Sequence, residues 1–531
     1  MYIERLMKRS KRHFFAASLI FLVVFILSIE GKLFAEMREV RFPFDRLDNE
    51  VHSMKDPKAY AKARLSPEML DRISRGMVKE VVIHSGGRDF FLRNFVGSSE
   101  LEEVLETTGE GGRTCYFLDR VRGIVYDCNL YGRAWAFHKA LVFHFCGIPL
   151  SRIKIFVDSP TFLSFSQGST APDQMEPIDF AIVGYRKSFI WLVCAREIAA
   201  RKVDHLRLVI GDPVRREAFF EAISRCGESR NIPGKLDSAN GERLANNSSI
   251  RCLELPELKR GLDTLLSLSH EDLFRKSRNY FLLRQIEKSM KKLFQKSKDI
   301  PLIVSQVFTP NGFIFQDHPA LHAKNIGKYF KKPFEMTRFS VILKSGRKAA
   351  LMVTKNPYGD VLQPLAFYLK RIGAKTVLFT GSSGSLDPHA NIGDVVVPTT
   401  MLGLLENGSF SPPRKGNSIA EFCSREKYEG VRISGKHASL CSPLIETESI
   451  VSEMRKSGIE SVDCESWHLF RSFPASFERG AIFLITDKPG GEVTLDQHEE
   501  VDSYNQIFLS PKMRMQDILF DFLSIKGVEI E

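Results

Sequence analysis

The chain has 531 residues, of which 43% are hydrophobic and 26% charged. These proportions are typical of globular proteins and exclude a collagen-like or wholly disordered chain, and at roughly 100–200 residues per domain the length predicts two or three domains. The formal net charge is +11, but the basic residues are spread along the chain, so the charge is weak evidence for a nucleic acid or an anionic membrane as partner.

The amino terminus has the features of a membrane signal. Residues 14–29 are free of charge and mostly apolar, and five basic residues precede them. A helix of that length spans about 24 Å, slightly less than the roughly 30 Å hydrocarbon core of a bilayer. Residues 30–35 make a poor cleavage site, which favours an uncleaved anchor over residues 1–36, with a cleaved signal peptide as the alternative. The positive-inside rule then predicts a single-pass membrane protein whose bulk is extracytoplasmic.

The middle of the chain predicts a first α/β domain over residues 40–226. Its strand patterns alternate with helical patterns, as in an α/β fold. The expected strands are 81–83, 122–126, 153–157, 180–183 and 206–210, and the expected helices are 134–146 and 189–200. We find no motif with recognisable chemistry in this domain, so its function stays open.

A linker region over residues 227–299 follows. Residues 227–249 are rich in Gly, Asn, Ser and charge, with no apolar period, which is typical of a linker or long loop. In residues 282–294 the apolar side chains recur every three or four positions, with lysines mostly on the other side. This spacing predicts an amphipathic helix with a solvated basic face.

The third region, residues 300–531, is predicted to be a second α/β domain. Its elements are expected to begin with a strand at 301–308 and a hairpin at 339–354, followed by a buried strand at 376–380. Gly381, Ser382 and their neighbours to Ser385 then form a run of small residues that we expect to be a loop. Such a loop places backbone N–H groups at the carboxyl end of a strand, where open α/β sheets bind ligands.

Two carboxylates in this domain lie at the ends of predicted strands. Glu465 stands between a strand and a helix, and Asp487 ends the apolar strand 481–487. An acid at the polar end of a buried strand can cap a turn, and Asp487 is followed by Lys-Pro-Gly-Gly, so turn capping is a real alternative for it. The metal-ligand spacings of zinc sites are absent from the sequence, and we predict neither a metal nor a cofactor.

Three segments of this domain occur in the order found in one enzyme superfamily. They read VLFTGSSGSLDPHANIGDVVVP at 377–398, SVDCES at 461–466 and LITD at 484–487. Together they resemble the glycine loop, the ribose-binding segment and the catalytic-Asp strand of the purine nucleoside phosphorylases and nucleosidases. The resemblance covers residues 300–531. It implies a three-layer α/β domain with a mixed sheet, a small-molecule nucleoside substrate and a homo-oligomer.

The resemblance also implies the chemistry, which is cleavage of an N-glycosidic bond. In that reaction negative charge grows on the leaving purine, and Asp487 matches the acid that protonates the base at N7. To donate, Asp487 must hold a proton near neutral pH, which burial would favour. The other implied substrate-binding residues are Glu465 and Cys464 at the sugar, Gly381 and Ser382 on the sugar and nucleophile side, and Ser442 in the segment that packs on the base.

Departures from the superfamily pattern bear on the nucleophile. Hexameric phosphorylases carry a phosphate-binding Arg two residues before the glycine, and here Phe379 occupies that place, which disfavours phosphorolysis. The nucleosidases carry a water-activating Glu soon after their first strand, and residues 309–313 contain no acid, the nearest being Asp317. We therefore expect a membrane-anchored nucleosidase acting on a purine nucleoside or nucleotide-like substrate. The alternatives are a phosphorylase that uses phosphate and an inactive nucleoside-binding sensor.

Overall fold

The computed structural model describes most of the chain from residue 53 onward. The described residues are 38–39, 53–84, 101–108, 112–127, 133–157, 177–228, 252–269, 272–273, 277–294, 300–309, 312–313, 336–354, 359, 362–405, 408–428, 430–474, 476–491, 493–495 and 509–530. The predicted membrane anchor at 1–36 lies outside them. Among the helices within these ranges, none combines the length and the apolar character needed to cross a bilayer.

The chain divides into two compact units, Met1–Asp45 with Ala61–Ser164, and Arg46–Tyr60 with Phe165–Glu531. Helix α1 (Pro57–Lys62) runs across one of these boundaries. The first unit contains a six-stranded sheet in the order β1-β6-β2-β5-β4-β3. Its elements are β1 (Arg38–Glu39), α2 (Pro67–Ser74), β2 (Glu80–His84), β3 (Leu101–Thr108), β4 (Gly112–Asp119), β5 (Ile124–Asp127), α3 (Arg133–Phe145) and β6 (Ile153–Val157).

The first unit has the α/β character that the sequence predicts for its part of the chain. Strand β2 is parallel to both β5 and β6, and α3 packs against β2 and β6. The helix buries Ala136, Ala140 and Phe143, which recur at the three- and four-residue spacing of one helix face. The predicted strands at 81–83, 122–126 and 153–157 and the predicted helix at 134–146 are confirmed.

The second unit contains a mixed ten-stranded sheet. Its order is β14-β13-β15-β16-β12-β7-β11-β10-β18, and β17 pairs with β12 and β13. The strands are β7 (Phe180–Gly184), β10 (Met336–Leu343), β11 (Lys348–Thr354), β12 (Thr376–Ser385), β13 (Val395–Gly403), β14 (Arg414–Lys415), β15 (Val431–Ser439), β16 (Ile459–Asp463), β17 (Glu478–Asp487) and β18 (Val528–Ile530). A separate two-stranded sheet pairs β8 (Phe308–Thr309) with β9 (Gly312–Phe313).

Helices of the second unit connect and cover these strands. They are α4 (Arg186–Ile210), α5 (Pro213–Glu228), α6 (Leu255–Ser267), α7 (Ser277–Phe294), α8 (Leu302–Ser305), α9 (Leu362–Arg371), α10 (Ser418–Glu426), α11 (Glu448–Lys456), α12 (Ser466–Ser472) and α13 (Leu509–Ile525). At the centre of the sheet both faces are buried. In β17, Ile482 and Leu484 join a core with α10 and α13, while Phe483 and Ile485 point to the opposite face and are equally buried.

The position of β7 differs from the domain division expected from the sequence. Residues 180–183 were assigned to the α/β domain 40–226, but Phe180–Gly184 pairs in parallel with both β11 and β12. The sheet of the second unit therefore takes its first strand in chain order from residues before 226, and not from 301–308. A fully buried strand of a parallel sheet is a short apolar run in any domain, so its pattern does not reveal which sheet it joins.

The chain between β7 and β10 forms a helical insertion with its own core. Two predicted strands are wrong here. Residues 206–210 are the end of α4, because Val203, Leu206 and Ile210 are buried on one helix face. Residues 301–308 form the short helix α8 and the start of β8. The predicted amphipathic helix at 282–294 is confirmed within α7. Of the predicted linker 227–249, residues 227–228 are the end of α5, and 229–249 lie outside the described residues.

Candidate active site

The candidate residues meet at one edge of the ten-stranded sheet. Strands β7, β12 and β17 are mutually parallel where they pair, so their carboxyl ends lie at the same edge. Strand β16 runs antiparallel to β12, with Val462 opposite Gly384. On the other side of β12, Gly384 pairs with Asp487. Gly384 therefore stands in the sheet between the ribose-binding segment and the candidate acid.

The small residues 381–385 are the second half of β12, not the loop expected from the sequence. They remain in the sheet because β17 pairs with them as far as Gly384. A Cβ on Gly381 would lie 2.8 Å from the Phe379 ring, and one on Gly384 would lie 2.9 Å from Asp487 Oδ2. Both distances are too short for a real side chain, so the glycines let neighbouring groups approach the strand. Ser382 is the exposed residue of this segment.

Asp487 is buried at the end of β17. The pairing of β12 with β17 shifts between Ser383 and Gly384, so that Thr486 is an extra residue on β17. Such bulges re-aim side chains and are frequent beside active sites. The Thr486 hydroxyl donates to Asp487 Oδ1 at 2.8 Å. Burial raises the pKa of Asp487 to about 6, against the opposing effect of that hydrogen bond. An acid with this pKa exchanges its proton near neutral pH.

A second buried carboxyl, Glu446, is a site residue that sequence reasoning missed. Burial raises the pKa of Glu446 well above its usual value, and the charge of Asp487 raises it further, so the two carboxyls are neighbours. Glu446 Oε2 has no hydrogen-bond partner among the described residues. In the sequence, Glu446 is marked only by its position shortly after residues 439–443, the segment expected to pack on the base.

The predicted residue Ser442 has a local structural role. It is fully buried, and its hydroxyl oxygen accepts a hydrogen bond from the Leu444 backbone N–H at 3.1 Å. That bond starts a single 3-10 turn over Pro443–Ile445, which ends directly before Glu446. Ser442 therefore fixes the turn that presents Glu446.

Glu465, Tyr185 and Ser382 form a second group of neighbours at this edge. Glu465 is half-buried, and its Oε2 accepts a hydrogen bond from the backbone N–H of buried Cys464 at 3.2 Å. The hydroxyls of Tyr185 and Ser382 are 2.6 Å apart. Burial raises the pKa of Tyr185 to about 12. The hydrogen bond with Ser382 lowers this pKa, and the charge of Glu465 raises it. Tyr185 therefore stays protonated and can act as a hydrogen-bond donor.

A buried polar network holds the turn that carries Glu465. Asp463 Oδ2 accepts from the Ser466 backbone N–H at 3.0 Å, and Ser439 Oγ accepts from the Trp467 N–H at 2.9 Å. Ser439 in turn donates to Asp463 Oδ1 at 2.5 Å. These bonds satisfy the first N–H groups of α12 on the carboxyl side of Glu465.

Asp463 also pairs with a buried histidine. His437 Nε2 lies 3.1 Å from Asp463 Oδ1, and its Nδ1 lies 2.8 Å from Ser461 Oγ. The His437 ring stacks on Phe483 with centroids 4.1 Å apart. Burial acts to raise the pKa of Asp463, but His437 and the surrounding hydrogen bonds outweigh it and lower that pKa below its usual value. Asp463 is therefore a buried carboxylate whose charge is compensated.

The Asp463→Asn variant is expected to lose at least about 1.5–3 kcal/mol of unfolding free energy, the worth of one hydrogen bond to a charged group. Urea denaturation at pH 7 measures this. Asp71→Asn is the control, since Asp71 is exposed and pairs with Arg75 four residues further on, where such pairs contribute less than about 1 kcal/mol. Equal stability of the two variants would contradict the role of the network.

The first strand of the ten-stranded sheet in chain order is β7, so the segment that follows this strand begins at Tyr185 and not at residues 309–313. Residues 308–309 and 312–313 belong to the separate two-stranded sheet, and Asp317 lies outside the described residues. The residues that follow β7 are Tyr185 and the first turn of α4, which contains no acid. Phe379, at the position of the phosphorylase arginine, is fully buried in the core. Lys512 Nζ lies 5.2 Å from the centre of the Tyr185 ring.

Across the ranges that the structure describes, no group of three or more His, Cys, Asp or Glu side chains is placed to hold a metal ion. The acidic and hydroxyl groups at this sheet edge instead form two sets. Asp487 and Glu446 are buried together near Gly384 of β12. Glu465 lies with Tyr185 near Ser382 of the same strand. Ser382 and Gly384 are two residues apart on that strand, or about 7 Å in an extended chain.

Comparison with known proteins agrees with the resemblance read from the motifs. Residues 331–506 match the model of the Phosphorylase superfamily, so the recognition of this superfamily in the carboxy-terminal part of the chain is confirmed. None of the curated proteins matches the chain significantly.

Similar solved structures include nucleosidases and a phosphorylase. The 5′-methylthioadenosine/S-adenosyl homocysteine nucleosidase of Campylobacter jejuni is 16% identical and has a TM-score of 0.29, with 35% of this chain and 90% of that chain covered. The S-adenosylhomocysteine nucleosidase of Streptococcus pyogenes is 17% identical with a TM-score of 0.28, with 36% and 84% covered. A methylthioadenosine phosphorylase from an antarctic soil metagenomic library is 11% identical with a TM-score of 0.28, with 38% and 83% covered.

Proposed function

We propose that this chain is a nucleosidase that cleaves the N-glycosidic bond of a purine nucleoside or a nucleotide-like relative. The observation that carries the proposal is the placement of Asp487, a buried carboxyl with a pKa of about 6, at the sheet edge that also carries Glu465. The match to the Phosphorylase superfamily over residues 331–506 supports it. The predicted membrane anchor at residues 1–36 and the extracytoplasmic location remain part of this proposal.

In the proposed mechanism the bond between the ribose C1′ and the purine N9 breaks with its electron pair moving to the base. Asp487 donates its proton to N7, which neutralises the charge that grows on the leaving purine. Glu465 accepts hydrogen bonds from the ribose hydroxyls, for which a carboxylate offers two acceptor oxygens. Glu446, adjacent to Asp487, contacts the polar edge of the base. A water molecule adds to C1′ and releases a proton to solvent, Asp487 takes up a proton from solvent, and the products are the free sugar and the base.

The second candidate is phosphorolysis, and Lys512 is the observation that favours it. Burial lowers the pKa of Lys512, as for a cation that lacks enough solvent or counter-charge, and this lysine packs on the Tyr185 ring. A phosphate could be bound there although the usual arginine is replaced by Phe379. The superfamily's water-activating acid is also missing after β7, which leaves a nucleoside-binding sensor as the third candidate.

One experiment separates the three candidates. The full-length protein is incubated with inosine, adenosine and their 5′-monophosphates, with and without inorganic phosphate, and free base and sugar product are quantified. Hydrolysis gives free base and ribose or ribose 5-phosphate without phosphate, whereas phosphorolysis requires phosphate and gives a sugar 1-phosphate. Thermal stabilisation by a nucleoside with no base released would support the sensor and contradict the nucleosidase.

Tyr185→Phe is expected to lower kcat/KM by about 3–10-fold, because one hydrogen bond in the site is worth about 0.5–1.5 kcal/mol. The phenol hydroxyl bonds Ser382 on the side from which the nucleophile approaches. Tyr428→Phe is the matched control, since its hydroxyl donates to Asp521 at 2.9 Å in the α10 and α13 region. Steady-state base release measures both variants, and equal rates for them would exclude Tyr185 from the site.

A further inference from the structure

A segment from near the amino terminus, residues 53–60, belongs to the second unit. We call this segment the strap. Ser53 is fully buried and Met54 almost so, whereas the next two residues are exposed. The strap therefore inserts its first two side chains into the second unit, far from the residues that precede and follow Asp487 in sequence.

The first contact of the strap is with the turn that leads into Glu446. The Ser53 hydroxyl donates to the Pro443 carbonyl at 2.8 Å, across 390 residues of sequence. The same carbonyl accepts from the Glu446 backbone N–H at 3.2 Å, which is the bond that closes the 3-10 turn Pro443–Ile445. A carbonyl oxygen has two lone pairs and can accept both bonds. Ser53 therefore holds the oxygen that anchors the Glu446 backbone.

The second contact of the strap is with the segment that follows Asp487. The Ser53 carbonyl accepts from the Leu495 N–H at 2.7 Å. Directly after Asp487, the Lys488 N–H donates to the Val493 carbonyl at 2.9 Å, so the chain folds back on itself between these two residues. Leu495 follows this closure by two residues. One residue of the strap is thus hydrogen-bonded to both of the segments that carry the buried carboxyls.

The turn before Glu446 depends on such support. It is a single 3-10 turn of three residues, and the hydrogen bonds of such short turns have poorer geometry than those of an α-helix. Glu446 and Asp487 are close enough for the charge of one to act on the other, so a shift of the turn changes the surroundings of both carboxyls. A displacement of about 1 Å in a catalytic site can reduce a rate by about 10²-fold.

We propose that Ser53 is a positioning residue for the leaving-group side of the site, because it holds the turn before Glu446 together with the segment after Asp487. The inference rests on the proposed function for the identity of the reaction. It extends the working site beyond residues 331–506, which match the superfamily, to a strap near the amino terminus of the chain.

The test compares full-length Ser53→Ala with the wild type on inosine and on p-nitrophenyl β-D-ribofuranoside. Nitrophenolate leaves as a stable anion, so its release needs neither the proton of Asp487 nor a base contact from Glu446. Ser53→Ala is expected to lower kcat for inosine by about 3–10-fold, the value of one hydrogen bond, and to change kcat for the nitrophenyl riboside by less than about twofold. A general loss of stability would instead lower both rates in proportion.

Hydrogen–deuterium exchange, followed by mass spectrometry, measures the same contact without turnover. Ser53→Ala removes the bond to Pro443, so the Glu446 amide is expected to exchange about 3–10-fold faster through local opening of the turn. The Leu495 amide is the internal reference, because Ser53→Ala retains the backbone carbonyl to which it donates. Its exchange should stay at the wild-type rate.

Ser418→Ala is the matched control. The Ser418 hydroxyl donates to the Arg479 carbonyl at 2.9 Å, at the opposite end of β17 from Asp487, and its removal should change neither the ratio of the two rates nor the exchange of Glu446. Equal losses on the two substrates, an unchanged kcat for inosine, or unchanged Glu446 exchange in Ser53→Ala overturns the inference. Faster Glu446 exchange in Ser53→Ala, when the wild type releases no base from inosine, supports the contact made by Ser53 and rejects the nucleosidase.

Discussion

Asp487→Asn is expected to lower the rate of base release by about 10²–10⁴-fold, the usual contribution of a positioned general acid. Asparagine has nearly the same shape, so it preserves the packing against Gly384 but has no carboxyl proton to donate to the purine. Single-turnover release of base from inosine or adenosine measures the effect. A variant that releases base at the wild-type rate would show that another group protonates the leaving base.

The same substitution is expected to stabilise the fold at neutral pH. The pKa of Asp487 is raised from 3.8 to about 6, so the folded chain keeps a proton that the unfolded chain gives up. Stability therefore falls as the pH rises from about 4 through 6. Two pKa units at about 1.4 kcal/mol each make this loss about 3 kcal/mol above pH 7.

Urea denaturation of the Asp487→Asn variant and the wild type at several pH values measures the predicted gain. The advantage of the variant should be largest above pH 7 and should vanish below about pH 3, where the carboxyl is protonated in both the folded and unfolded chains. Asp71→Asn is again the control, because Asp71 is exposed. A variant that is less stable than the wild type at pH 7.5 would mean that Asp487 is held as a compensated charge.

The wild-type rate is expected to follow the protonated form of Asp487. A general acid is active with its proton bound, so base release should decline as the pH rises through about 6. Glu446 is close enough for the charge of Asp487 to raise its pKa well above the usual value, so Glu446 keeps its proton while Asp487 titrates. Glu446→Gln, which is neutral as well, should therefore leave the apparent pKa of the rate profile unchanged. A clear downward shift in Glu446→Gln would show instead that Glu446 ionises before Asp487.

The parts of the site that the sequence predicts are those encoded in short segments. Asp487 and Glu465 each stand at the end of an apolar strand pattern, and β16 and β17 form where expected. Phe379 was recognised as a departure from the phosphorylase pattern, and it lies in the core. Such features depend on neighbours along the chain, so local periodicity and motif order are sufficient to locate them.

The features that the sequence did not predict depend on contacts between distant segments. Strand β7 is an apolar run like any other, and only its pairing with β11 and β12 assigns it to this sheet. That pairing places Tyr185, and not residues 309–313, directly after the first strand of this sheet in chain order. Ser53 is a further case, because its hydroxyl donates to the Pro443 carbonyl and its carbonyl accepts from the Leu495 N–H, and no sequence pattern predicts these contacts.

A third group of errors came from competing local patterns. Residues 206–210 have the apolar, β-branched composition of a strand, but they continue the buried face of α4, so the helix period prevailed over strand propensity. The small residues 381–385 have the composition of a turn, but pairing with β17 keeps them in the sheet. In both cases tertiary packing, and not the intrinsic propensity of the residues, determined the backbone conformation.

Glu465→Gln is expected to reduce kcat/KM by about 10²–10³-fold. Charge-assisted hydrogen bonds are worth about 1.5–3 kcal/mol each, and the carboxylate is proposed to accept such bonds from the ribose hydroxyls. Glutamine keeps the size of the side chain, but it has no charge and exchanges one acceptor oxygen for a donor. The Asp463 network that holds the turn is left intact, so the fold should be unaffected.

The decisive measurement for Glu465 compares inosine with 2′-deoxyinosine. The wild type should prefer the ribonucleoside, and Glu465→Gln should lose most of that preference, because the group that senses the hydroxyls has been changed. Glu460→Gln provides the matched control on β16, since Glu460 Oε2 only accepts the Gly435 backbone N–H at 2.9 Å, away from the site. If Glu465→Gln behaves like Glu460→Gln, the carboxylate does not bind the sugar, and the proposed geometry of the substrate is wrong.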